Sequence, residues 1–144
     1  MHTRSTVQIL LALSSLLLLA ACGQKPPQTV EITLTEFGID TPITTFQAGQ
    51  QYRFVVTNAG ALNHEFTIMP PMASPPAGIH MDGHSMEHMT GAMVHIGENE
   101  LTPGATVTLD FTFSEPTLEG EIEFACHLPG HYEGGMVTPI RVES

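Results

Sequence analysis

From Thr29 to Glu143 apolar and polar side chains alternate in short runs. Val30, Ile32 and Leu34 are separated by Glu and Thr, and Tyr52, Phe54 and Val56 alternate in the same way. The clearest run is Thr106-Val107-Thr108-Leu109-Asp110-Phe111-Thr112-Phe113; Ile122, Phe124 and Cys126 continue the pattern, and Val137 to Val142 closes it. Alternation with period two puts one set of side chains on one face of a strand, so each run predicts a half-buried β-strand. Ala48-Gly49-Gln50, Asn58-Ala59-Gly60, Thr102-Pro103-Gly104 and Glu119-Gly120 supply turn signals between the runs. Sustained helical periodicity is confined to the N-terminal apolar stretch. Short strands at this spacing predict an all-β antiparallel sandwich or barrel.

Two segments break the rhythm. Ile9 to Ala21 is apolar apart from Ser14 and Ser15, follows Arg4, and ends in Leu19-Ala20-Ala21-Cys22. It is too short for a stable membrane span and predicts a signal peptide over 1–21. Leu19-Ala20-Ala21-Cys22 resembles a bacterial lipobox, which implies cleavage before Cys22 and acylation of that cysteine. An ordinary secretory signal with an incidental cysteine is the weaker reading. Residues 22–28, with Pro26-Pro27, then form a lipidated tether, and the domain occupies 29–144. The second break is 70–97, which lacks a strand pattern and reads as a long loop inserted into the domain.

Composition narrows the function. The chain of 144 residues has 4 Lys+Arg against 15 Asp+Glu, a formal net charge of −11. Such a surface repels phosphate and excludes nucleic acid as a partner. With Cys22 lipidated, Cys126 is the remaining cysteine of an exported domain and has no partner for a disulfide. It is therefore an inert buried thiol, a reactive thiol or a metal ligand.

Its surroundings favour the last. Cys126-His127-Leu128-Pro129-Gly130-His131-Tyr132-Glu133-Gly134-Gly135-Met136 reads Cys-x4-His-x4-Met, and His64 lies upstream at the start of a strand. A thiolate, two imidazoles and a weak thioether are the donor set of a blue-copper site. Leu128-Pro129-Gly130 and Gly134-Gly135 provide the turns that let three donors on one loop converge. Taken singly, Cys126 or Met136 would be core and His131 or His64 incidental; the combination points to copper.

These segments resemble the cupredoxin family, with a ligand loop closer to rusticyanin and auracyanin than to plastocyanin. The similarity extends from the strand at Thr29 to the C-terminus and is strongest to small bacterial copper-binding members with a Met/His-rich insertion. It implies a Greek-key β-sandwich with one type 1 copper site, His64, Cys126 and His131 in the trigonal plane and Met136 axial. Plastocyanin and azurin follow the first histidine with a bracing asparagine, whereas Glu65 stands here. The N–H of residue 65 is expected to donate to the Cys126 sulfur, with Asn63 bracing from the other side. His127 reads as a surface residue, since neither a trinuclear nor a dinuclear copper centre can be assembled around it.

The insertion carries Met69, Met72, Met81, Met86, Met89 and Met93 with His80, His84, His88 and His95. Thioethers select Cu(I) and imidazoles accept copper, so His80, Met81, His84, Met86, His88, Met89 and Met93 form a candidate secondary Cu(I) site. The competing reading is adaptable apolar cover over the sandwich. The expected function is an exported copper lipoprotein, anchored by lipid alone and facing the periplasm or cell exterior, monomeric, carrying single electrons between redox protein partners. The alternative is copper buffering, delivery to a target protein or resistance. An enzyme is not expected, because neither an open coordination position nor an acid/base pair is evident.

Overall fold

A computed structural model describes residues 25–71 and 91–144 of the chain. The lipidation site Cys22 and six of the seven candidate insertion ligands, His80, Met81, His84, Met86, His88 and Met89, lie outside the described residues. Nine strands are described: β1 (Gln28–Thr35), β2 (Gly38–Asp40), β3 (Thr45–Gln47), β4 (Gln51–Asn58), β5 (Phe66–Met69), β6 (Val94–Ile96), β7 (Thr106–Thr112), β8 (Thr117–Ala125) and β9 (Val137–Glu143). They form two sheets, ordered β2-β1-β4-β7 and β3-β9-β8-β5-β6.

Every predicted alternating run is a strand. Three strands were not legible from the pattern: β2, β3 and β6. Each has three residues, too few for a period to show. β6 also corrects the expectation of an unstructured 70–97, since Val94–Ile96 pairs antiparallel with Phe66–Ile68. Nor is the pairing wholly antiparallel, because β1 runs parallel to β4 and β3 parallel to β9. The chain passes from the first sheet at β2 to the second at β3 before returning as β4, and this crossing gives the parallel contact.

The inward faces meet in one aromatic core. Phe46 is fully buried, with ring centroids 5.0 Å from Tyr52, 5.8 Å from Phe54, 5.1 Å from Phe113 and 5.7 Å from Phe124. Its strand β3 presents this one large side chain and pairs with β9, which closes the sandwich at that edge. The Tyr52 hydroxyl accepts the Gln47 N–H at 2.8 Å, so even the polar end of the cluster is satisfied.

The second sheet positions the site. Thr67 of β5 lies opposite both Ala125 of β8 and His95 of β6. Alternation then puts Phe66, Phe124 and Cys126 on the core side, and Glu65, Thr67, His95, Ala125 and His127 on the outer side. The ends of β5 and β8 therefore bring His64-Glu65 beside Cys126-His127.

Candidate metal centre

Cys126 follows the last residue of β8 and Met136 precedes the first of β9, so the loop between them closes on itself. The Cys126 N–H donates to the Met136 carbonyl at 3.0 Å, and the Met136 N–H to the His131 carbonyl at 3.0 Å. His131 N–H to Leu128 O (2.9 Å) and Gly134 N–H to Gly130 O (3.0 Å) tighten the intervening turns. Gly130 and Gly135 have φ of 83° and 108°, the left-handed region that glycine enters without a Cβ penalty. Cys126 and Met136 are both fully buried, and His131 is half-buried.

His64 arrives from the β4–β5 connection. Its N–H donates to the Leu101 carbonyl at 3.2 Å. Buried Asn58 holds this connection from inside: its amide donates to Leu62 O at 2.8 Å and Leu101 O at 2.7 Å, and its Oδ1 accepts the Gly60 N–H at 2.8 Å. Asn63, expected to brace the site, is exposed and outside this network. The bracing belongs to Asn58, which holds the β4–β5 connection from inside, and to Glu65, whose carboxylate accepts the His127 N–H of the ligand loop from the outer face.

Three donor atoms, from His64, Cys126 and His131, lie within 4.8 Å of one another, and among the described residues no other trio of His, Cys, Asp or Glu does so. His64 Nδ1 faces His131 Nδ1 at 3.2 Å, and Cys126 Sγ lies 3.4 Å from the same His131 nitrogen. Two imidazole nitrogens pointed at each other and at a sulfur make a poor hydrogen-bond arrangement in themselves, yet the separations match ligand edges around an ion held at about 2.0–2.3 Å. The donor set thus fits a soft or borderline transition metal. Burial pushes the Cys126 thiol pKa up, and burial followed by the charge of His131 pushes that of His64 down. The Glu65 N–H donates to Cys126 Sγ at 3.5 Å, as expected, which favours the thiolate.

Gly60 is required for a different reason. A Cβ there would lie 2.8 Å from Glu36 Oε1 and 2.9 Å from His64 Nε2. The Glu36 carboxylate accepts the Ala61 N–H, fixing the same connection. Gly60→Ala should therefore displace His64, costing about 1–3 kcal/mol in a denaturant titration and shifting the visible spectrum of the metal-loaded protein. An unchanged spectrum and stability would show that the connection yields freely.

The structure corrects the reading of His127. Its side chain is 8% exposed, its N–H donates to Glu65 Oε1 at 2.7 Å, and its ring packs on Tyr132 with centroids 4.9 Å apart. Met93, the one candidate insertion ligand among the described residues, is 42% exposed, and its backbone N–H donates to Ile68 O at 2.8 Å. Its neighbours across a shallow groove are Phe111, Phe113 and Ile122, away from the Cys126 site.

A two-sheet sandwich with a Cys–His–Met loop at one end and a histidine from the adjacent connection defines a cupredoxin. Solved structures agree in fold: reduced auracyanin from Roseiflexus castenholzii superposes with a TM-score of 0.60 at 24% identity, over 83% of this chain and all of that one. Auracyanin A from Chloroflexus aurantiacus gives 0.56 at 20% identity, over 81% of this chain and 99% of its own. No family model matches the sequence. The copper-resistant cuproprotein CopI of Pseudomonas aeruginosa is 30% identical over 141 residues, covering 81% of this chain and 76% of that protein. CopI of Rubrivivax gelatinosus is 31% identical over 121 residues, covering 82% and 68% respectively. CopI of Vibrio cholerae is 31% identical over 134 residues, covering 85% and 69%. The chain belongs to this cupredoxin-like CopI family.

Proposed function

We propose that this chain is an exported, lipid-anchored copper-handling protein that lowers free copper outside the cytoplasmic membrane. His64, Cys126 and His131 hold the ion and Met136 is the weak fourth donor. The convergence of the three donor atoms within 4.8 Å carries the binding half of this reading, and kinship to copper-resistance cuproproteins supports the resistance half. Bound copper would supply a one-electron couple. The chain's part is to present a preorganised, buried donor set, with Cys126 fixed by the Glu65 N–H and His64 fixed through Asn58.

The half-buried edge of His131 favours a second reading, single-electron carriage to a redox partner. Reduction of the copper-loaded full chain beside a Cu(I) chelator separates the two. Handling predicts transfer of copper to the chelator, and carriage predicts retention through repeated cycles. In cells, handling predicts that loss of the chain lowers copper tolerance and that the Cys126→Ser variant does not restore it.

The insertion is tested alongside. Replacing Met81, Met86, Met89 and Met93 with Leu keeps apolar volume and removes the thioethers. A storage role predicts that the variant keeps its visible band and loses the Cu(I) bound beyond the first ion. Equal stoichiometry of wild type and variant under chelator competition would assign the methionines to packing alone.

A further inference from the structure

His64 gives the Cys126 centre one of its two ring nitrogens. Nδ1 faces His131 Nδ1 within the converging donor set, so Nε2 lies on the far edge of the ring. His64 is 0% exposed, and among the described residues its Nε2 has no hydrogen-bond partner. A buried imidazole N–H is costly to leave unpaired, so this atom calls for an acceptor. A histidine that holds a metal through one nitrogen ordinarily donates from the other, which fixes its tautomer and strengthens it as a ligand.

Glu36, in the β1–β2 turn, lies on that side. A Cβ on Gly60 would meet Glu36 Oε1 at 2.8 Å and His64 Nε2 at 2.9 Å, so the two atoms flank one small space that stays open because residue 60 has no side chain. Backbone N–H groups, that of Ala61 first, hold the Glu36 pKa below its ordinary value, which keeps it anionic. Burial and the charge of His131 push the His64 pKa down, and Glu36 acts against them. The turn is fixed from its other side by Phe37. A Cβ on Gly134 would lie 2.7 Å from Phe37 Cδ1, so this ring sits directly on the backbone of the ligand loop. The β1–β2 turn thus touches both ligand-bearing segments, the β4–β5 connection through Glu36 and the Cys126–Met136 loop through Phe37.

We propose that Glu36 is a positioning residue of the metal centre: its carboxylate accepts the His64 Nε2–H, directly or across one water, and so holds His64 with Nδ1 free for the ion. The inference rests on the copper-binding reading above. An acceptor with a full negative charge also adds electron density to the imidazole, which favours Cu(II) over Cu(I). A neutral acceptor would orient the ring without this effect.

The test compares wild type with Glu36→Gln, which keeps an acceptor for the Ala61 N–H and removes the charge. In the metal-free full chain, nitrogen-15 NMR of the histidine rings reads the tautomer. His64 should be the Nε2–H form, its ring proton protected from exchange, and Glu36→Gln should move that resonance and speed the exchange. With copper bound, Glu36→Gln should keep the visible band and weaken Cu(II) binding at least about tenfold under chelator competition. With Cu(I) affinity unchanged, tenfold corresponds to a reduction potential higher by about 59 mV. Glu31→Gln makes the same charge change at an exposed position of β1 and should alter neither readout. An Nδ1–H tautomer in wild type, or an equal fall in Cu(II) affinity in Glu31→Gln, would overturn the proposal. A wild type that takes up Cu(II) without colour overturns the copper reading and this inference with it. A coloured wild type matched in affinity and potential by Glu36→Gln overturns this inference alone.

Discussion

Cys126→Ser is expected to abolish the intense visible absorption of the Cu(II) protein completely and to weaken copper binding by at least about a hundredfold. The colour comes from charge transfer out of a thiolate, and a hydroxyl has no donor orbital of comparable energy. The effect on the fold should be small by comparison. Serine is similar in shape, and the bond at stake is the long Glu65 N–H to Sγ contact at 3.5 Å. Absorption spectra before and after one equivalent of Cu(II), with thermal melts of both metal-free proteins, provide the check. A colourless wild type loaded stoichiometrically, or a coloured Ser variant, would refute the ligand assignment. Met136→Leu offers a graded companion. It should keep the band and raise the reduction potential, since losing a weak donor destabilises Cu(II) more than Cu(I).

The largest loss of stability should come from Phe46→Ala. The ring is fully buried and touches four other aromatic rings drawn from β4, β8 and the residue after β7. Truncation removes apolar burial and leaves a cavity that the two sheets cannot close, costing about 3–5 kcal/mol and lowering Tm by more than about 10 °C. Exposed Leu118, by contrast, should tolerate Ala with a change below about 0.5 kcal/mol. Denaturant melts of the metal-free variants measure both. A loss below about 1.5 kcal/mol for Phe46→Ala would mean that β3 is not held by its aromatic anchor.

The sequence made the long strands legible because a half-buried strand must alternate, and β1, β4, β7, β8 and β9 are long enough for alternation to be seen. The Cys-x4-His-x4-Met loop was legible for a related reason. Donors that converge on one ion from a single loop must be close in sequence and separated by turn residues. β3 and β6 were not legible, since one inward side chain in three residues carries no period. Asn58 was read as a turn residue, and its spacing to Leu62 would admit a local bond. Its second bond, to Leu101, joins residues 43 positions apart, and no local pattern announces that.

His127 and Glu65 show the limit most clearly. Both were polar residues at strand ends, and polar residues there normally face water. Their burial follows from the register of three strands, which stacks Glu65, Thr67, His95 and His127 on one face. Tyr132 of the ligand loop then folds back over that face. The sequence by itself determined the β class, the donor types and their order along the chain, because those depend on local periodicity and chemistry. The tertiary structure alone decided which asparagine braces the centre, that Glu65 clamps the ligand loop, and that His95 and His127 share its outer face. Those contacts depend on which strands become neighbours and in what register, a choice made by burial of the whole core rather than by any one segment.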